Sequence, residues 1–278
     1  MKKTVLVLIL AVNLGLIMGL KHTIDGISRY KVPGSSIIYI PSGKHLKLAS
    51  FGYSALMADL IYIWAIQYFS NQAIWDRFEH LEHVFAIISE LDPGYYDPYD
   101  VGSLIAYYDA KDLELAFSIL DLGMEKNPDQ WIFPLQAGHY AQMFAKDFKR
   151  AEAYYKKAMN IKGSPPIARR LYANAAFRLS NYQTAWQNWL EVFENADDER
   201  VKKIASNHLY RTKAAMDIKA INQALMRFKD IHRRLPRELS ELVAAGLLPN
   251  IPKDLDEKDY IYDPKTGEVK TRVNPWKR

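Results

Sequence analysis

The sequence predicts a mainly α-helical protein: an α-solenoid of about four helix–turn–helix units, preceded by a transmembrane helix and followed by a small α+β cap. Three observations support this fold class. The chain opens on an uncharged apolar run, repeats one helical pattern four times in its middle, and ends in short apolar stretches separated by Pro and Gly. Its hydrophobic content of 49% is typical of a folded chain rather than a disordered one.

Residues 1–20 predict a membrane anchor. Two lysines precede an uncharged run over residues 4–20. As a helix this run would span about 25 Å of a hydrocarbon core that is about 30 Å thick. A cleaved signal peptide has a shorter apolar core and small residues at its cleavage site. This chain has Ile17 two positions before Gly19, so we favour an uncleaved anchor over a removed signal.

The anchor also predicts where the protein resides. The lysine pair should stay on the cytoplasmic side, although Lys21, Arg29 and Lys31 follow the run closely. We expect a single-pass protein of the bacterial inner (cytoplasmic) membrane, with its body on the periplasmic or equivalent extracytoplasmic side. Residues 21–50 then form a connector, in which Pro and Gly mark a turn before a short strand at 37–40.

Residues 51–196 contain the repeated pattern. Four sets of three residues are each spaced by four and then three positions: Leu81, Phe85, Ile88; Ala116, Leu120, Gly123; Ala151, Tyr155, Ala158; and Ala185, Trp189, Val192. The first residues of successive sets are 35, 35 and 34 positions apart. Such a period with helical spacing inside it predicts stacked helix–turn–helix units, each stabilised by packing on its neighbours. An irregular helical bundle with accidental spacing is the alternative.

The repeats resemble the tetratricopeptide (TPR) family over about residues 55–195. In that family a small residue opens the second helix of each unit, a bulky and another small residue follow, and a proline closes the unit. Here the second set is followed by Asn127-Pro128, and the first unit closes on Leu91-Asp92-Pro93. The third set matches best and follows Lys146-Asp147-Phe148, which is similar to the family's inter-helix turn. The resemblance implies a scaffold that binds other proteins.

Some positions depart from the TPR pattern. Leu81 and Ile88 stand where the family has small residues, and the third unit carries one extra residue between Gly138 and Ala151. These departures affect single units and leave the shared phase of the four sets intact.

The segment before the first set, residues 48–69, is strongly apolar and could be taken for a second membrane span. It contains Asp59 and Gln67, and a charge inside a span is costly. We therefore predict a long buried helix, the end of which would be the first helix of the first unit.

Residues 197–234 predict one or two helices, and residues 235–278 a small α+β cap. The cap should contain a short helix closed by Gly246 and a hairpin around the turn at 263–267. The tail at about 219–270 resembles the soluble end of type II secretion pseudopilins, although that family's calcium loop has no counterpart here. We favour a cap that seals the open end of the repeat stack, which such stacks require.

The composition excludes several function classes. The chain has no cysteine, which rules out disulfides, thiolate zinc sites and cysteine nucleophiles. Its net charge of +5 is not gathered in a dense basic stripe, so we expect no nucleic acid partner. His80 and His83 could share a metal, but a zinc protease spaces its histidines four apart, and no third ligand is evident. We expect no catalysis, no cofactor and no metal site.

The TPR resemblance places the partner-binding surface on the concave face, which is lined by the first helix of each unit. The inward positions correspond to Ile105, Tyr108, His139, Gln142, Arg170, Asn174 and Arg178. The last three are spaced by four and share one helix face. Two arginines and an asparagine there could bind a carboxylate or an extended acidic peptide of a partner protein. An ordinary solvated face is the alternative.

The sequence thus predicts a membrane-tethered protein–protein interaction scaffold, or an assembly factor, for a cell-envelope complex. The pseudopilin-like tail leaves open a second function, as a structural subunit of a secretion or pilus-like machine. The histidine pair leaves open a third, as a metal-dependent envelope hydrolase.

Overall fold

A computed structural model describes residues 2–26, 40–72, 74 and 76–273. These residues form a mainly helical fold, which confirms the mainly α-helical part of the prediction. The helices are α1 (Lys2–Gly26), α2 (Gly43–Ala49), α3 (Ser54–Ser70), α4 (Leu81–Leu91), α5 (Asp97–Leu104), α6 (Leu113–Lys126), α7 (Ile132–Tyr140), α8 (Phe148–Asn160), α9 (Ile167–Arg178), α10 (Tyr182–Glu194), α11 (Glu199–His232) and α12 (Ser240–Ala244). Strands β1 (Ile261–Tyr262) and β2 (Val269–Lys270) pair antiparallel. The strand predicted at 37–40 falls almost wholly outside the described residues.

The N-terminal run forms helix α1. Its large apolar side chains from Ile9 to Ile24 are each between 52% and 66% exposed. A Cβ added at Gly15 or Gly19 would meet no atom of the described residues within 4 Å. Within the described part of the chain, no helix combines the length and apolarity that a membrane crossing needs. The anchor therefore stays a prediction.

Helices α3 to α10 pack against one another in chain order, each on the helix before and after it. The four sets of the sequence pattern lie on α4, α6, α8 and α10, the second helix of each successive pair, and all twelve residues are buried. The pattern therefore marks the residues through which each pair packs. Small residues let neighbouring helices come close, as at Gly138, where an added Cβ would lie 2.6 Å from the ring of Tyr155.

The structure explains why the first two intervals are 35 residues and the third is 34. Helices α5 and α7 each continue into a π-helical turn, at Ile105–Asp109 and Ala141–Ala145. The Asp147 N–H then donates to the Ala141 carbonyl, six residues back, whereas after α9 the Asn181 N–H donates to Ala176, five residues back. A π-helical turn holds one more residue than an α-helical turn. The extra residue seen between Gly138 and Ala151 is accommodated there.

The turns between the paired helices repeat as well. Lys111, Lys146 and Ser180 each adopt a left-handed backbone with φ between 56° and 61°. Each is followed by an acid or amide, and the carboxylates of Asp112 and Asp147 accept a hydrogen bond of 2.9 Å from the backbone N–H three residues on. These side chains cap the second helices, so the same local chemistry starts α6 and α8.

The prediction of a long buried helix before the first set is wrong in part, because α3 is buried on one face only. Ala58 and Ala65 are fully buried with Tyr68 and Phe69, and this face packs on α4. The opposite side exposes a stripe at Leu56, Leu60 and Ile63, each 55% accessible. Helix α3 therefore carries more apolar side chains than its contact with α4 buries.

The segment after the repeats forms one helix, α11, of 34 residues. Its N-terminus is capped by Asp198, which accepts from the Arg200 N–H at 2.7 Å. Its first half packs on α10, where Ala205 and Leu209 join the cluster around Trp189. Its second half packs on the C-terminal tail through a separate cluster that shares no residue with the first.

The C-terminal tail lies along the second half of α11. Leu242 of α12, Tyr260 and Val269 pack on the apolar side of that half. Two hydrogen bonds fix the contact: the Tyr210 hydroxyl donates to Asp254 at 2.6 Å, and the Tyr260 hydroxyl donates to Asp217 at 2.7 Å. The described tail thus packs on a helical extension beyond the α10 contact, rather than on the cluster around Trp189.

Candidate protein-binding surface

Aromatic side chains gather where α5 and α7 end. The aromatic cluster consists of Tyr107, Tyr108, His139, Tyr140 and Phe144. The rings of Tyr107 and Phe144 stack with centroids 4.0 Å apart, and Tyr140 lies 5.7 Å from Phe144. Three of the five come from the two π-helical turns, so the extra residue in each turn helps to place these rings together.

Two predicted site residues belong to this cluster. Tyr108 and His139 each lie 6.1 Å from the Phe144 ring, edge to face, and both are exposed. The other two predicted residues of these units are partly buried. Ile105 packs against the main hydrophobic core, and the Oε1 atom of Gln142 is buried without a hydrogen-bond partner among the residues that the structure describes.

Arginines gather on the neighbouring helices α9 and α11. The arginine cluster consists of Arg170 and Arg178 on α9 and Arg211 on α11, and partly buried Asn174 lies between the first two. Among the described residues, no carboxylate forms an ion pair with any of the three. By contrast, Arg169 is paired with Glu191 on another face of α9. The cluster therefore carries positive charge that the described chain does not neutralise.

Burial and rings hold these guanidinium groups in place. Arg211 lies over the Phe177 ring at 4.2 Å, and Arg178 lies 5.7 Å from the Phe148 ring. The Nε atom of Arg170 is buried and has no hydrogen-bond partner in the described part of the chain. Burial and then the charge of Arg178 lower the pKa of Arg211, although an arginine stays protonated at any ordinary pH. An anion placed here would gain contacts with preorganised donors.

A neutral histidine lies beneath the arginine cluster. His208 is buried on α11 and stacks on Trp189 with centroids 3.9 Å apart. Burial, and then the charges of Arg211 and Arg170, lower the pKa of His208 to about 4. At neutral pH the imidazole therefore carries no charge and adds nothing to the positive potential of the arginines.

Sequence reasoning missed part of this surface. Arg211 and His208 lie on α11, where no repeat period marks an inner face. Phe144 and Tyr107 lie in the π-helical turns, where the extra residue shifts by one the positions that the TPR resemblance predicts to face inward. The signal that could have found the aromatic pair is the irregular spacing itself, because it locates the inserted residue between Gly138 and Ala151.

The histidine pair considered for a metal lies apart from these clusters. His80 precedes the first residue of α4, and exposed His83 has its Nε2 atom 3.4 Å from the Ile40 carbonyl oxygen. Within the described residues, no three His, Cys, Asp or Glu side chains come close enough to hold a metal ion. No family model, characterised protein or solved structure matches the chain.

Proposed function

We propose that this chain is a membrane-tethered scaffold or assembly factor of the cell envelope, without a catalytic role, and that it binds an acidic, extended segment of a partner protein. The observation that supports the proposal is the arginine cluster. Three cations lie on α9 and α11 without an acidic partner among the described residues, while Arg150 and Arg169 elsewhere on the repeats are paired with Glu114 and Glu191.

The electrostatics favour a carboxylate ligand over a neutral one. Arg178 and Arg211 repel one another, and burial of Arg211 weakens the screening by water. A carboxylate between them would relieve this repulsion and accept charge-assisted hydrogen bonds, each worth about 1.5–3 kcal/mol. A glutamate or aspartate side chain and a C-terminal carboxylate share this chemistry.

The rest of the surface suits an extended ligand. In the proposed TPR-like stack, the first helices α5, α7 and α9 lie side by side, and α11 follows them. A segment crossing these helices would meet exposed Tyr108 and His139 on the aromatic cluster and the arginine cluster beyond it. Aromatic side chains offer apolar contact area at low entropic cost, and the arginines would fix register and charge.

Helix α1 supplies the proposed tether. Its exposed apolar side chains from Ile9 to Ile24 contribute to none of the three hydrophobic clusters of the described residues. Insertion of this helix into the inner membrane, with the repeats on the periplasmic side, would bury them in lipid. The second candidate function, a subunit of a secretion or pilus-like machine, is favoured by the long α11 that leads to a small hairpin.

The arginine cluster provides the direct test. The full chain is titrated into a fluorescent, glutamate-rich peptide, and the binding is compared with that of the double variant Arg170→Ala/Arg178→Ala. Loss of two charge-assisted contacts should weaken binding at least about tenfold, and added salt should weaken the parent's binding more than the variant's. Arg169→Ala is the matched control, because its guanidinium is paired with Glu191.

Two outcomes would contradict the proposal. One is an equal loss of affinity in Arg169→Ala, and the other is equal affinity of the parent chain for a neutral peptide of the same length. Cross-linking in membranes separates the two candidate functions. A stable set of co-purifying envelope proteins supports the scaffold, whereas a set made of secretion components supports the machine subunit.

A further inference from the structure

The turn between α2 and α3 exposes apolar side chains to an unusual degree. The apolar tip consists of Leu48, Phe51, Tyr53 and Leu56, which are 82%, 91%, 71% and 55% exposed. Single exposed apolar residues are normal on a soluble surface, but a group of them at one turn marks a surface that meets an apolar phase or partner.

The backbone of the tip is held in a form that presents these side chains. Phe51 has φ of 48° and Gly52 has φ of 94°. A bulky residue rarely adopts a left-handed backbone, which costs about 1 kcal/mol or more. The turn is nevertheless fixed, because the Ser50 hydroxyl donates to the Lys47 carbonyl at 2.7 Å and the Tyr53 N–H donates to the Ser50 carbonyl at 2.9 Å.

Two lysines lie next to the tip, while Glu90 of α4 places its carboxylate beside Gly43, at the start of α2. Lys44 and Lys47 lie exposed on α2, just before the tip. The only acid in residues 43–63 is Asp59, which is more than one helical turn into α3 beyond Tyr53. This is the arrangement of a surface that inserts apolar and aromatic side chains at a lipid interface while lysines contact anionic headgroups. The charge of Asp59 then limits how far α3 can enter the lipid.

Two further features suit lipid at this place. An open groove of about 290 Å³ lies behind the tip and is lined only by apolar residues between Ile40 and Trp64. Helix α1 ends at Gly26 and the described chain resumes at Ile40, so the intervening chain reaches at most about 50 Å. The proposed tether would therefore keep the tip within reach of the same membrane.

We propose that the apolar tip inserts into the interface of the anionic membrane in which α1 is anchored, giving the protein a second, peripheral lipid contact that sets the orientation of the repeats. This inference rests on the membrane tether of the proposed function. In this proposal lipid covers the tip, rather than a second copy of the chain or a protein partner.

Site-directed fluorescence tests the insertion, and the absence of native cysteine makes the labelling specific. The full chain with Phe51→Cys carries an uncharged, apolar fluorophore in nanodiscs that contain phosphatidylglycerol. An inserted side chain lies within about 5–10 Å of the headgroup boundary, so nitroxide lipids should lower the fluorescence about twofold or more. Met226→Cys, 68% exposed on α11, is the matched control and should show no loss.

A third label distinguishes the possible failures. Leu14→Cys lies in α1 and reports the tether alone. Quenching at 14 without quenching at 51 overturns the tip contact and leaves the tether standing, whereas no quenching at either position overturns both. Shielding of the label at 51 in detergent without lipid, rising with protein concentration, would assign the tip to a second copy and overturn the inference.

Two variants test the chemistry of the tip. Adding Leu48→Ser to the chain labelled at 51 should reduce the quenching, because it removes a neighbouring apolar anchor. Adding Lys44→Gln and Lys47→Gln should reduce it only when anionic lipid is present. If none of these changes lowers the quenching at 51, the label is close to lipid without being inserted. That result would overturn the proposed insertion.

Discussion

Replacing His208 by phenylalanine should make the protein less sensitive to acid. His208 is 9% exposed and lies flat against Trp189, with an angle of 4° between the rings. Phenylalanine keeps a planar ring in this place and cannot take up a proton. The variant therefore isolates the proton-linked part of the contribution that His208 makes to the free energy of unfolding.

The magnitude follows from the pKa of His208, which burial and then Arg211 and Arg170 lower from 6.5 to about 4. Above pH 7 the imidazole is neutral in both the folded and the unfolded chain. As the pH falls below 6.5, the unfolded chain binds a proton that the folded chain excludes, so the folded state loses stability until the pH reaches about 4. Each pH unit in this window costs about 1.4 kcal/mol, or about 3 kcal/mol in total.

Urea unfolding of the parent and of His208→Phe at pH 7 and at about pH 4.5 measures this effect. Carboxylates elsewhere also change stability over this range, but they do so equally in both chains and cancel in the difference. The variant should gain about 2–3 kcal/mol relative to the parent between the two pH values. A relative gain below about 0.5 kcal/mol would show that the folded state accepts the proton and would refute the reasoning.

A second substitution checks the electrostatic cause. Arg170→Met should recover part of the stability lost at acid pH, because it removes one of the two charges that lower the pKa of His208. Arg169→Met is the control, since Arg169 is paired with Glu191 and does not act on His208. Equal recovery in both variants would assign the effect to general charge and not to the cluster.

Two further predictions concern packing. Gly138→Ala should lower the free energy of unfolding by about 1–3 kcal/mol, because the new methyl would lie 2.6 Å from the Tyr155 ring; calorimetry measures this, and Gly15→Ala, with open space around it, should not lower it, since alanine favours a helix. Tyr210→Phe leaves a buried oxygen of Asp254 without its 2.6 Å hydrogen bond and should cost about 1–3 kcal/mol. Relative to the parent, Tyr210→Phe should speed hydrogen exchange in the tail more than in α8. An equal increase in both segments would argue against a local role.

Much of the helical fold could be predicted from the sequence because its signal is local and periodic. The spacing of Ala151, Tyr155 and Ala158 places three residues on one face of a helix, and the structure buries all three. The turn residues were equally readable, since Asp147 offers the side-chain oxygen that a helix start needs. The extra residue in the third unit was visible as a change of spacing, but the sequence did not show that a π-helical turn would hold it.

The candidate site was predictable only in part. Arg170, Asn174 and Arg178 share a face because they are spaced by four along α9, and that much follows from the sequence. Whether an arginine is paired depends on which acids reach it from other helices. Arg169 meets Glu191, 22 positions away, while its neighbour Arg170 meets no acid among the described residues. No local pattern separates the two.

The sequence by itself determined where the helices of the repeats lie and which of their faces are buried, because hydrophobic spacing, small residues and capping side chains act within a few positions of one another. Only the tertiary structure decided what those faces meet. It stacked His208 on Trp189, joined Arg211 to the arginines of α9, and left the tip around Phe51 uncovered within the described chain. These outcomes depend on distances between segments far apart in the chain, which packing sets and local spacing does not encode.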